Sequence, residues 1–209
     1  MEGLALIQHY FPQISSVQQN QFVQLAEGLK EWNTKINVIS RQDTSNIWER
    51  HILHSLGIAK AISFPSKSTV IDIGTGGGLP GLPLAILFPE VQFQLIDSIG
   101  KKITVVQDLI QQLKLKNTIG KKMRAEEIAI KADFIVSRAV TRLAPFYSWI
   151  EKKLSKENSD KLKKGIYYLK GGDLSEEVIE LKKSIEIYSL SDFFSDPFFE
   201  TKKVIYVPA

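Results

Sequence analysis

The chain of 209 residues, 44% hydrophobic and 24% charged, has the balance of one folded domain with additions. It contains no cysteine, which removes disulfides, thiolate nucleophiles and thiolate metal sites together, and no apolar run approaches the ~20 residues a membrane-spanning helix needs. The net charge of +4 favours a polyanionic partner, and the start MEGLALIQHYFPQ, acidic and without a basic segment ahead of an apolar core, argues against export and for a cytoplasmic place.

Residues 1–66 lack the strand signals that follow. Ser15 and Ser16, with Gln18 and Gln19 three residues on, read as a helix start of the capping-box type, and Phe22, Leu25, Ala26, Leu29 and Trp32 follow at helical spacing. A second helix is expected from about Ser45 to Ile62. Trp48, Ile52, Leu56 and Ala59 share one face and Ile47, His51, His54 and Ile58 another, so both sides would be buried, as in a cap on a larger domain. Trp32 and Trp48 read as glue between cap and core. His51 and His54, i and i+3, read as core or interface histidines, and no metal site is expected.

From Lys67 onward strands alternate with helices: a strand at Val70 to Ile73, a helix at Leu79 to Phe88, a strand at Val91 to Ile96 and a helix at Lys101 to Leu115. Strands follow near Thr118 to Met123 and at Phe134 to Ser137, then a helix at Arg142 to Leu154, a strand at Ile166 to Leu169 and a helix at Leu174 to Ser184. Two closing strands, Ile185 to Leu190 and Lys203 to Val207, have no helix between them. The pattern predicts an α/β fold, a doubly wound and mostly parallel sheet with an antiparallel hairpin at one edge, preceded by a helical extension over 1–66. The lysine-rich stretch Lys152 to Lys164 reads as a solvated loop.

The stretch VIDIGTGGGLPGLP, Val70 to Pro83, holds five glycines between Gly74 and Gly81 and runs from strand to helix, a cradle in which backbone can press on a flat ligand. Two cofactor classes fit. Gly76-x-Gly78-x-x-Gly81, with Asp97 ending the next strand, satisfies the dinucleotide pattern of a nicotinamide oxidoreductase. Asp72, just ahead of Gly74, would repel a pyrophosphate but suits an ammonium or sulfonium, which favours S-adenosylmethionine. No tyrosine-lysine pair or similar hydride-transfer constellation accompanies the dinucleotide pattern. A non-catalytic RNA-binding protein is a third reading of the basic balance.

Several segments together resemble a family: the glycine loop, LIDSIGKK (Leu95 to Lys102), RAEE (Arg124 to Glu127), VSRA (Val136 to Ala139), LKGG (Leu169 to Gly172), and upstream WNTKINVIS (Trp32 to Ser40) and RHILHSL (Arg50 to Leu56). In order and over nearly the whole chain, they are similar to the bacterial small-subunit ribosomal RNA guanine-N7 methyltransferases, also called glucose-inhibited division protein B. The resemblance implies a Rossmann-like class I methyltransferase sheet, S-adenosylmethionine as cofactor, and 16S rRNA or a precursor of the small ribosomal subunit as partner, for a chain acting as a monomer. It places Gly74 and Leu79 at the methionine side of the cofactor, with Asp72, Gly76 and Gly78 in the same loop, Asp97 at the ribose and Ala125 with Glu126 around the adenine. It also implies Arg138 as an anchor where cofactor and RNA meet, and Lys101, Lys102, Arg124 and Lys170 on the RNA-facing side. Gly77 stands where the family often has proline or alanine, and His54 where it commonly has aspartate. The implied chemistry needs positioning and no general base, because guanine nitrogen 7 carries a lone pair and no proton.

Overall fold

The structure, a computed structural model, describes residues 2–157 and 162–209. Seven strands form one sheet: β1 (Thr69–Ile73), β2 (Gln92–Asp97), β3 (Thr118–Lys122), β4 (Phe134–Arg138), β5 (Gly165–Gly171), β6 (Glu186–Ser189) and β7 (Lys202–Pro208), in the order β3-β2-β1-β4-β5-β7-β6. The first five pair in parallel, and β7 lies antiparallel between β5 and β6. This is the predicted sheet with its predicted edge hairpin, the two closing strands being joined only by 3-10 turns at Leu190–Asp192 and Pro197–Phe199.

Strand side chains divide by the period of two. Val70, Phe93, Phe134, Tyr167 and Val204 face one apolar layer, while Ile71, Ile96, Ile135, Ile166 and Ile205 face the other. Both faces being covered, the central strands read as nearly unbroken β-branched and aromatic runs.

The first layer is completed by the N-terminal helices. α1 (Glu2–Tyr10) buries Ile7, and α2 (Ser16–Lys35) buries Phe22, Leu25, Ala26 and Leu29 in the same cluster as the sheet. Ser15 and Gln18 form the expected capping box. Trp32 Nε1 donates to Asp108 Oδ2 at 2.6 Å, tying α2 to the helix that follows β2, and the Trp48 ring lies so close on Gly3 that a Cβ there would meet it at 2.1 Å. Both tryptophans therefore act as glue. α1 has no counterpart among the elements expected from the sequence.

The single helix expected over Ser45 to Ile62 is instead a composite. A 3-10 turn (Arg41–Asn46) leads into a π-helical segment (Ile47–Leu53), then the short α3 (His54–Leu56) and α4 (Ile58–Ala61). Ser55 Oγ donates to His51 O at 2.6 Å, and Gly57 N reaches both Leu53 O and His54 O, so side-chain competition and a weak helix former break the regular winding.

The other helices are α5 (Gly81–Leu87), α6 (Gly100–Gln112), α7 (Leu143–Ile150) and α8 (Ser175–Leu181). The stretch Lys152 to Lys164 departs from a solvated loop at its ends. Lys153 Nζ donates to Glu126 O and Ile128 O, and Lys164, buried, pairs with Asp133 at 2.7 Å because the sheet's lower rim offers it a carboxylate. Positions 158–161 of that stretch lie outside the described residues.

Candidate functional site

Two openings lie side by side at the C-terminal ends of the parallel strands, where open α/β sheets take ligands. The first is built on the glycine loop. β1 ends at Ile73 and the chain turns at Gly74, whose φ of +68° is left-handed and whose Cβ, if present, would lie 2.4 Å from Val140 Cγ2. Only glycine fits there without strain and collision.

Asp72 does not line this opening: it is fully buried, and Oδ2 accepts from Thr75 Oγ1 at 2.6 Å and from Gly81 N at 2.8 Å, while Oδ1 has no partner among the described residues. The side chain staples the start of the loop to the first turn of α5, and a Cβ on Gly81 would lie 2.7 Å from that oxygen. Burial pushes its pKa up to about 7, with the bonds from Thr75 and Gly81 and the nearby Arg138 acting against the rise. The Gly81 amide that a pyrophosphate would need is thereby already taken.

Asp97 ends β2, beside β1. Its Oδ2 accepts from Gly76 N at 3.0 Å and its Oδ1 from Ile99 N at 2.9 Å, so one carboxylate fixes the loop against the neighbouring strand end. The first opening, about 340 Å³, is walled by Gly74, Asp97, Ala125, Glu126 and Arg124, with Met123, Val140 and Trp149 also lining it. That volume is in the usual range for a small-molecule pocket. Gly76, Gly78 and Leu79 do not line it. Gly78 N and Leu79 N both donate to Thr75 O in the turn behind, and Leu79 is buried in the core. Trp149, half-buried on α7, was missed because its helical spacing reads as ordinary amphipathic packing.

The second opening, about 490 Å³, lies across the end of β4 and is lined by Arg50, His51, His54, Arg138, Phe198 and Lys202, with Asp43, Lys170 and Glu177 contributing. Its walls come from the π segment, β4, β5 and the Pro197–Phe199 turn. The Arg138 guanidinium, expected at a cofactor or phosphate, donates to Arg50 O at 3.3 Å, and its Nη2 stands 3.1 Å from His51 Nδ1. Burial lowers the Arg138 pKa to about 10, opposed by Asp72 and Asp43, so the group stays charged at neutral pH. Burial, reinforced by Arg138, pushes His51 down to about 4 and holds His54 well below the ordinary histidine value. The Phe198 ring carries Arg50 at 5.5 Å and Lys202 at 4.8 Å and stands edge-on to His54.

Lys170, expected on an RNA-facing surface, is engaged internally: Nζ donates to Thr141 O at 2.7 Å and pairs with Glu177 at 2.8 Å. Tyr168 OH accepts from Val140 N and Thr141 N and donates to Thr141 O, all at 2.9 Å. Together they pin the 139–142 loop, whose Val140 lines the first opening and Ala139 the second. Lys101, Lys121, Lys122 and Arg124 are exposed near the first opening, while Lys102 is half-buried 3.9 Å from Asp97. Among the described residues no group of three or more histidines and carboxylates could hold a metal ion.

A family model described as GidB, rRNA small subunit methyltransferase G, matches residues 18–204. The chain is 54% identical over 199 residues to the Ribosomal RNA small subunit methyltransferase G of Flavobacterium johnsoniae, covering 95% of each. It is 50% identical over 206 residues to the protein of the same name from Cytophaga hutchinsonii, covering 99% of this chain and 100% of that one. Among solved structures it resembles M. jannaschii TYW2 in complex with AdoMet, with a TM-score of 0.56 at 17% identity over 77% of this chain and 75% of that one. A SAM dependent methyltransferase from Aquifex aeolicus matches with a TM-score of 0.54 at 12% identity, over 74% of this chain and 88% of the other. At such identities the structural matches speak for the fold alone.

Proposed function

The chain belongs to the GidB family of rRNA small subunit methyltransferases G, and from that premise we propose that it transfers a methyl group from S-adenosylmethionine to nitrogen 7 of a guanine in a loop of 16S rRNA. The observation that carries the reading is the first opening: a nucleoside-sized cavity at the ends of β1 and β2, with a glycine where a Cβ would collide and a carboxylate on its wall. The residues present fit the cofactor. Asp97 would meet the ribose, Ala125 and Glu126 the adenine with Trp149 beside them, and the backbone at Gly74 the methionine end. Asp72, Gly76, Gly78 and Leu79 would act from behind, by holding the loop's shape.

When bound, S-adenosylmethionine supplies an electrophilic methyl group on a sulfonium. The protein's task is to aim a purine at it, and orientation of that kind supplies roughly 7 to 11 kcal/mol of barrier reduction. Nitrogen 7 has no proton to lose, so no side chain serves as general base. Positive charge arrives on the guanine as the new bond forms, and the Arg138 guanidinium is held in place by Arg50 O and His51.

Nitrogen 7 of an A-form helix faces a deep groove closed to side chains, so the target is an unpaired or extruded nucleotide. The exposed cations Lys101, Lys121, Lys122 and Arg124 would meet phosphate, with Lys102 beside them. We assign the partner as 16S rRNA or a small-subunit precursor, the place as cytoplasmic and the acting unit as a monomer; no described helix is long and apolar enough to cross a membrane. The dinucleotide reading lacks support, since the amide it requires at Gly81 is bound to Asp72.

The test is mass mapping of 7-methylguanosine in small-subunit rRNA from cells with and without this protein, together with calorimetry of adenosylmethionine binding. The expected result is one modified guanine lost with the protein and one cofactor bound per chain. Unchanged rRNA, or no cofactor uptake, overturns the proposal.

A further inference from the structure

The second opening contains a polar group the reaction scheme leaves unused. His51, on the π segment, lines it, is buried, and touches Arg138 Nη2 through Nδ1 at 3.1 Å. Arginine can only donate, so Nδ1 must accept, and the ring's proton sits on Nε2. That N–H has no partner among the described residues. A buried donor left unpaired is destabilising, and a ligand acceptor would relieve it.

We propose that this opening receives the extruded target guanosine and that His51 Nε2–H reads oxygen 6 of its base. This rests on the reading under Proposed function and extends it to the acceptor. Asp72 and Val136 are paired across β1 and β4, and Gly74 and Arg138 each follow by two residues, so the two openings lie on adjacent strand ends. A guanine held in the second one can turn its nitrogen 7 toward the first. Oxygen 6 lies on the same edge as nitrogen 7, both as acceptors, whereas adenine offers an amino donor in place of that oxygen. A donor at His51 therefore accepts guanine and opposes adenine, N–H against N–H.

The type of donor matters as much as its place. The common way to read guanine is an arginine fork on oxygen 6 and nitrogen 7 together, which here would occupy the lone pair that must attack. Arg138 is kept from that by its bonds to Arg50 O and His51. It relays orientation through a neutral imidazole with a single N–H, which burial and Arg138 itself keep uncharged at neutral pH. Such a donor marks oxygen 6, leaves nitrogen 7 free and adds no charge against the one that develops on the base. Arg138 is in this sense a positioning residue.

The test uses small-subunit rRNA in which the guanine methylated by the wild-type protein is replaced, by splint ligation, with 2-aminopurine, which keeps nitrogen 7 and lacks oxygen 6. The wild-type protein should prefer guanine by about a hundredfold, the size of one hydrogen bond made to a site that otherwise strands a buried donor. His51→Ala should lose most of that preference through slower transfer to guanine, with the 2-aminopurine rate nearly unchanged. His51→Gln, which keeps an N–H, should recover part of it, and calorimetry should find adenosylmethionine affinity within about twofold of wild type. Equal slowing on both RNAs, an undiminished preference in His51→Ala, or weakened cofactor binding overturns the assignment. A wild-type protein that methylates neither RNA would instead sink the methyltransferase reading itself.

Discussion

The two openings at the sheet's upper edge are built in opposite ways. The first rests on a backbone turn at Gly74, which Asp72 and Asp97 hold through amides at Gly81, Gly76 and Ile99, and its walls come from the ends of β1 and β2, residues 123–126, Val140 and Trp149. The second is made of side chains gathered from separate stretches, Asp43 with Arg50 and His51, Arg138, Lys170, and Phe198 with Lys202. In the first opening a local backbone turn sets the shape against which side chains from other segments are placed. A substrate specific to one enzyme needs side-chain chemistry that no short segment provides.

Substitutions can break this contrast. The largest effect is expected for Gly74→Ala, which meets a left-handed backbone and Val140 at once; strain and overpacking of about 2 to 4 kcal/mol should abolish measurable cofactor binding, read by calorimetry. Retention of tight binding would mean the first opening is not shaped by backbone. Asp97→Ala removes both amide acceptors, and loss of about 1 to 3 kcal/mol should appear as a fall of roughly five- to 150-fold in cofactor affinity, with a smaller effect on rRNA affinity measured separately.

In the second opening, Lys170→Met leaves Glu177 without its cation, and denaturant unfolding should show a loss of about 2 to 3 kcal/mol. Its rRNA binding should keep the wild-type salt dependence, because the lysine's charge is already neutralised. Lys121→Ala or Lys122→Ala should instead lower the slope of log affinity against log salt by about one unit each, with little change in stability.

A further expected effect concerns pH. The ring of His51 has a folded value near 4 against an ordinary 6.5, so the unfolded chain binds the extra proton first as pH falls between those values. Its contribution to stability is full above about pH 6.5 and is lost as the pH falls toward 4. Asp72, raised from 3.8 to about 7, acts the other way: the folded chain holds its proton longer, and stability declines as pH rises across that window. Urea titrations between pH 4.5 and 7 should therefore show a flatter acid-side loss in His51→Gln than in wild type.

Local chemistry alone predicted the alternation of strands and helices, the parallel sheet with its edge hairpin, the capping box at Ser15 and the glycine loop with an acid ending the next strand. These follow from side-chain period, turn chemistry and runs of a few residues, which act before any long-range contact forms. Segment resemblance added the family. Packing decided what sequence periodicity leaves open: the π winding of Ile47–Leu53, the inward turn of Asp72, the capture of Lys170 by Glu177 and the pairing of Arg138 with His51. Each depends on which groups from distant segments become neighbours, and on the cost of burying a charge or an N–H without a partner. Spacing along a chain cannot express that cost, because it exists only once the sheet has closed over the residue and removed its water.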